Sequence, residues 1–172
     1  MDFPTRFSTF FTISMLIFLS SSSSTNAASK LVNSICSQTG DYASKCQQLI
    51  GSDRKTKDLE DPKKLAEIVL QMSLEDAQKS YDFINQMLKE KATEPVEQCV
   101  FWYEAVVASF KSAHAELEED PESANYDVKI AGDYADNCEN GLANGSPIPE
   151  ISAKNDQVWL YSRIGFAVTN LL

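Results

Sequence analysis

One histidine, four cysteines and a run of carboxylates are the groups in this chain with chemistry to offer, and their settings limit what each can do. His114 is the only imidazole among 172 residues, so histidine-ligated metal sites and Ser–His nucleophilic chemistry lack their parts. As a general base or pH switch it would have to face a cleft. Its place on an apolar helical stripe favours instead a partly buried ring, hydrogen-bonded inside a bundle. Glu116, Glu118, Glu119, Asp120 and Glu122 invite a calcium reading but lack the Asp-x-Asp-x-Asp-Gly spacing of a calcium loop, and read as a solvated helix end. In Phe101-Trp102-Tyr103, Tyr103 lies on a core stripe and Trp102 beside it is either a flanking core residue or an exposed anchor. No Gly-rich phosphate loop, nucleophile elbow or supported pair of catalytic carboxylates occurs. The expectation is a protein without cofactor or metal that is not an enzyme.

Composition narrows the partners. Twenty-five acidic against 15 basic residues give a formal charge of −10, which argues against nucleic acid, whose phosphates need Lys/Arg clusters. The same charge disfavours a polyanionic polysaccharide or membrane surface. An apolar content of 43% over 172 residues suits one domain with a real core. Residues 1–28 read as a secretory leader: Arg6, an apolar run from Phe10 to Leu19, then Ser20 to Ser24 and Thr25-Asn26-Ala27-Ala28, with cleavage after Ala27 or Ala28. The run is too short and too rich in Ser and Thr to span a bilayer, which takes about 20 apolar residues. The mature chain is expected in the apoplast or cell wall, with the vacuole as the other destination, and off the membrane.

Cys36, Cys46, Cys99 and Cys138 all follow the leader. An even count in an oxidising compartment implies two disulfides, and the absence of CxxC pairs argues against zinc. Three pairings are open from the sequence, and joining neighbours is the simplest. On that pairing the chain-entropy model gives roughly 3 kcal/mol for the short loop and about 4 for the long one.

The elements that must position these groups are helices. Asp61-Pro62 supplies an N-cap and first-turn proline, and Leu70, Leu74, Ala77, Tyr81, Ile84 and Leu88 then alternate by four and three. After Thr93-Glu94-Pro95 comes a second stripe of Val96, Val100, Tyr103, Val107, Phe110, His114 and Leu117. Asp120-Pro121-Glu122 restarts the chain, with Ala124, Val128, Ala131, Ala135, Cys138 and Leu142 on a third stripe. Leu160, Ile164, Ala167 and Leu171, flanked by Val158, Tyr161 and Val168, form the fourth. The period is that of helices packed in a bundle. Asn144-Gly145-Ser146-Pro147-Ile148-Pro149 is the clearest linker, and its Asn144-Gly145-Ser146 is a glycosylation sequon, with Pro147 working against occupancy. Residues 29–58 break the period. Leu31, Val32 and Ile35 suggest a short helix ending near Cys36, Thr39-Gly40-Asp41 a turn, and Leu49-Ile50 a return to apolar character. The expectation is an all-α fold: residues 59–172 as a four-helix up-down-up-down bundle, and 29–58 as a disulfide-stapled helical hairpin with little core of its own.

Several of these features together resemble the plant invertase and pectin methylesterase inhibitor family. They are Cys36 with nine residues before Cys46, Leu49-Ile50-Gly51-Ser52-Asp53-Arg54, Cys99 with Tyr103 four residues on, Asp133 with Cys138-Glu139, and the ending Thr169-Asn170-Leu171-Leu172. Ser123-Ala124-Asn125 also resembles the pollen-allergen branch. The resemblance spans the whole mature chain. It implies a four-helix bundle with an N-terminal hairpin, the disulfides Cys36–Cys46 and Cys99–Cys138, and one function: a secreted proteinaceous inhibitor that docks, one to one, on a plant carbohydrate enzyme and blocks its cleft.

Which enzyme is docked turns on four residues. Invertase inhibitors of the family resemble one another in a Pro-Lys-Phe motif between bundle helices two and three. The matching positions here are Pro121-Glu122-Ser123, preceded by Asp120. Glu in place of Lys reverses the charge offered to a pocket whose catalytic groups are carboxylates. That departure puts pectin methylesterase ahead, with invertase as the alternative and a non-inhibitory structural, storage or allergen-type bundle as the reading of another class. Asp120, Pro121, Glu122 and Ser123 are the candidate contacts at this turn, and the esterase reading adds exposed polar residues of helices two and three.

Overall fold

Chain order in the computed structural model, which describes residues 28–144 and 147–172, begins with a capped short helix. Ser29 Oγ accepts from the Val32 N–H (3.2 Å) at the start of α1 (Lys30–Gln38) and donates to the Leu59 carbonyl (2.5 Å). Gly40 then turns the chain at φ +62, in the left-handed region that glycine enters without a Cβ penalty. One turn of 3₁₀-helix, Gly40–Tyr42, leads into α2 (Ala43–Leu49). Cys36 of α1 is bonded to Cys46 of α2. The leader assigned to residues 1–28 lies, but for Ala28, outside the described residues.

Four long helices follow: α3 (Pro62–Glu90), α4 (Glu94–Glu116), α5 (Pro121–Asn144) and α6 (Pro149–Thr169). Each has proline in its first turn, where the missing N–H costs nothing. Asp61 caps α3 by accepting from the N–H groups of Lys63 (2.9 Å) and Lys64 (3.3 Å). The four pack in a ring, α3 on α4, α4 on α5, α5 on α6 and α6 back on α3. The fold is an all-α four-helix bundle, and no strand occurs among the described residues.

Its core follows the expected stripes in part. All six expected positions of α5, from Ala124 to Leu142, are buried. On α3 the inward line is Leu65, Ala66, Val69, Leu70, Ser73, Ala77, Ser80 and Ile84, while Leu74, Tyr81 and Leu88 are half-buried flanks. An apolar criterion overlooks Ser73, yet its hydroxyl bonds the Val69 carbonyl (2.7 Å) within its own helix and buries at little cost. On α4, Val100, Val107 and His114 sit at the edge, and Val106, Ser109 and Ala113 take the interior. Leu171 is exposed because α6 stops at Thr169.

The hairpin is not the coreless appendage expected. Val32, Ile35 and Ile50 are fully buried and continuous with the bundle core, because α1 and α2 pack on α6. Enclosed by α3, α5 and the hairpin, α6 is buried nearly all round from Val158 to Thr169, with only Arg163 and Phe166 exposed. The hairpin is latched to it by polar contacts too. Tyr42 donates to Asp156 (2.9 Å), Lys45 pairs with Asp156, and the Arg163 guanidinium lies 5.4 Å over the Tyr42 ring.

A polar network crosses the bundle beside the second disulfide, Cys99–Cys138. The Tyr103 hydroxyl donates to Asn155 Oδ1 (2.9 Å), and Asn155 Nδ2 donates to Glu139 Oε2 (2.6 Å). Ser152 Oγ donates to the other Glu139 oxygen (2.8 Å). Tyr103 and Asn155 are both fully buried, and burial drives the Tyr103 hydroxyl far above its ordinary pKa, so it stays a donor. Replacing Asn155 by Leu should therefore strand the buried Tyr103 hydroxyl and take one donor from the half-buried Glu139, lowering unfolding stability by about 1–3 kcal/mol in urea titration. Tyr103→Phe removes one donor and should cost about 1 kcal/mol. Equal midpoints for Asn155→Leu and wild type would refute the network's role.

The Asp156 latch has its own signature. Burial works to raise this carboxyl, but the hydrogen bonds from Lys45 and Tyr42 and the Lys45 charge carry it below the usual range. A depressed folded pKa stabilises above the unfolded value near 3.8 and loses that contribution as pH falls through the folded value. Asp156→Asn should melt earlier than wild type at pH 7, and the difference should shrink as pH falls below the ordinary carboxylate range and through the depressed folded value. A melting difference that persists unchanged into acid would contradict this.

Candidate functional site

The α4–α5 turn is built by capping. After α4 the N–H groups of Glu119 (3.1 Å) and Asp120 (2.8 Å) both return to the Glu116 carbonyl. The Asp120 carboxylate then accepts from the Ser123 N–H (3.1 Å) and hydroxyl (2.7 Å), bonds that hold it below the ordinary carboxylate range. Pro121 is half-buried, lining a shallow hollow with Pro62, Leu117, Leu171 and Leu172. Lys63 pairs with Glu118 and ties the start of α3 to the turn. Of the four candidate contacts, Asp120 and Ser123 are thus engaged with each other. Glu122 is exposed and in no ion pair among the described residues.

Charge is distributed unevenly. Residues 94–144, α4 through α5, hold twelve of the 25 carboxylates and, in Lys111 and Lys129, two of the 15 Lys and Arg residues. This one helical hairpin accounts for the full −10, and the remainder of the chain is balanced. Aromatic side chains lie on the same two helices. Trp102 stacks on Tyr134 across the α4–α5 seam, with centroids 5.8 Å apart, and Phe101 meets Trp102 edge-on at 4.9 Å. Phe101 is 62% and Tyr126 63% exposed. Tyr126, Ile130 and Tyr134 share one face of α5 at four-residue spacing.

The other chemistry-bearing residues are scattered. His114, expected inside the bundle with a hydrogen bond, is half-buried at the rim of an open groove that Asp53, Glu67, Gln71 and Glu75 also line, and its ring makes no hydrogen bond among the described residues. The inward position there belongs to Ala113, one residue earlier. Asn144 ends α5 exposed, and Gly145 and Ser146 of its sequon lie outside the described residues. Among the described residues no three His, Cys, Asp or Glu side chains are grouped to hold a metal ion, and no helix is long and apolar enough to cross a membrane.

The profile of the plant invertase/pectin methylesterase inhibitor family matches residues 30–164. The chain belongs to this family. Its members are protein inhibitors of carbohydrate-active enzymes. Two solved structures are similar. The crystal structure of a mutant form of a pectin methylesterase inhibitor from Arabidopsis aligns at TM-score 0.75 and 18% identity, over 84% of this chain and 98% of that one. A pectin methylesterase inhibitor from Arabidopsis thaliana aligns at TM-score 0.63 and 18% identity, over 82% and 95%. At this identity the likeness is one of fold. No curated protein matches the chain significantly.

Sequence reasoning missed the concentration of charge in one helical hairpin, although counting carboxylates helix by helix would have found it. It also missed the interior pairing of Asn155 with Tyr103 and Glu139. No local signal carries that pairing, because its members come from three helices.

Proposed function

We propose that this protein inhibits a pectin methylesterase by laying the acidic, aromatic-bearing α4–α5 hairpin over the enzyme's cleft, one inhibitor to one enzyme. The observation that carries the reading is the confinement of the whole −10 charge to α4–α5, beside the exposed Phe101 and Tyr126. A one-signed face steers a basic partner toward it and speeds encounter, and exposed aromatics supply the large, rigid anchors on which interface energy concentrates. Two disulfides and a shared core keep the face preorganised, so little ordering entropy is lost on docking. The same charge repels a polyanionic substrate, so inhibition acts on the enzyme and not by sequestering what it cleaves.

The turn supports this choice of target. Where the family's invertase inhibitors place Lys and Phe, this chain has Glu122 and Ser123. An exposed carboxylate meets a pocket of carboxylates with like-charge repulsion. The retained Pro121 is the feature that keeps invertase as the second reading. Residues 1–28 as a leader place the mature protein in the apoplast, or otherwise the vacuole, where both enzyme classes would be met.

Stoichiometric protein at mildly acidic pH should abolish the activity of a basic plant pectin methylesterase, with association slowing as salt is raised. It should leave acid invertase active. Glu122→Lys with Ser123→Phe should then confer measurable invertase inhibition. Potent invertase inhibition by the unmodified protein would reverse the assignment, and inactivity toward both enzymes would favour the non-inhibitory bundle.

A further inference from the structure

On the far side of α5 from the aromatic seam, α5 and α6 leave an open groove of about 390 Å³ that no reading above uses. Its floor is formed where the two helices come close. A Cβ on Gly132 would stand 2.7 Å from Ser162 Oγ and would push that hydroxyl aside, so with glycine there backbone and a hydroxyl are presented in place of a side chain. Trp159 and the exposed Phe166 are its aromatic walls. Asp133 and Asp136 offer acceptors, and Lys129 and Arg163 offer donors.

None of these four charged groups is in an ion pair among the described residues. Arg163 lies over the Tyr42 ring, and its guanidinium N–H groups donate to no acceptor among the described residues, which leaves them for a ligand. Burial, with repulsion from Asp133, pushes the Asp136 carboxyl up, while the Trp159 indole and Arg163 pull it down. The indole N–H is itself buried, and its approach to Asp136 falls short of full hydrogen-bond geometry.

The lining also selects by charge. An anion would meet Asp133 and Asp136, and a cation would meet Lys129 and Arg163, so opposed charges cancel for either. A neutral ligand with many hydroxyls can use all four groups, donating to the carboxylates and accepting from the cations, with its C–H faces on the aromatic walls. The volume lies within the range of small-molecule sites. We propose that this groove binds a short neutral saccharide.

The full mature chain carries two tryptophans, Trp102 and Trp159, so a Trp102→Phe background leaves Trp159 as the sole indole reporter. Titration with sucrose, cellobiose and β-1,4-galactobiose should give a saturable Trp159 fluorescence change for at least one, with a midpoint on the order of 1 mM. Digalacturonate, the charged comparison, should bind at least about tenfold more weakly. Asp136→Asn and Arg163→Gln should each weaken the neutral ligand about fivefold or more. In the unmodified chain, amide shifts on adding the same sugar should cluster at residues 129–136 and 159–170. No saturable response to any neutral disaccharide up to about 50 mM, binding unmoved by both substitutions, or shifts away from the groove would overturn the proposal. Enzyme inhibition can succeed or fail without altering any of these readouts.

Discussion

Everything on the proposed docking face depends on how α4, α5 and α6 are fastened to one another around Cys99–Cys138 and Asn155. The disulfide fixes the antiparallel register of α4 and α5. Three residues on along α4 and four back along α5, Trp102 and Tyr134 can therefore stack. Asn155 brings in α6, accepting from Tyr103 of α4 while donating to Glu139 of α5. Packing alone tolerates small slips of one helix past another, whereas a buried amide satisfied from two sides does not, since any slip strands polar groups at about 1–3 kcal/mol each. The crosslink adds about 4 kcal/mol in the chain-entropy model.

That fastening bears directly on electrostatics. Concentrating ten net negative charges on two neighbouring helices is self-repulsive and would favour splaying them apart. The strongest tie in the molecule joins the same two helices. Elsewhere the ties match lighter loads: the Asp156 latch and Cys36–Cys46 hold a hairpin that is already buried against α6 through Val32, Ile35 and Ile50. A rigid acidic face is thus obtained with only Lys111 and Lys129 interleaved among twelve carboxylates, which leaves its field available to a partner.

Much of this was legible in the sequence, and the failures have physical causes. Proline with Asp or Thr before it marked helix starts, and α5 read correctly because its inward side is small and uniformly apolar. The inward line of α3 departs from the apolar stripe because Ser73 and Ser80 are interior, and a small hydroxyl-bearing residue does not register as apolar although Ser73 bonds its own helix. His114 was drawn inward by the stripe through Val100 and Val107, while the interior runs one residue earlier through Val106 and Ala113. Leu171 continues the stripe of α6 in sequence, but the helix ends at Thr169. The hairpin looked coreless because its few apolar residues are matched by α6, some hundred positions away in the chain. At the turn the four candidate residues were visible, but not that Asp120 and Ser123 satisfy each other and leave Glu122 exposed.

On the proposed function, α4–α5 is the surface that meets the enzyme. Amide hydrogen exchange of the mature protein with and without one equivalent of a basic pectin methylesterase at low salt tests it most directly. Slowed exchange should concentrate in residues 97–137, including the turn at Asp120–Ser123, with α3 unchanged along its outer face. Protection confined to α1–α3 in an inhibited complex would contradict it.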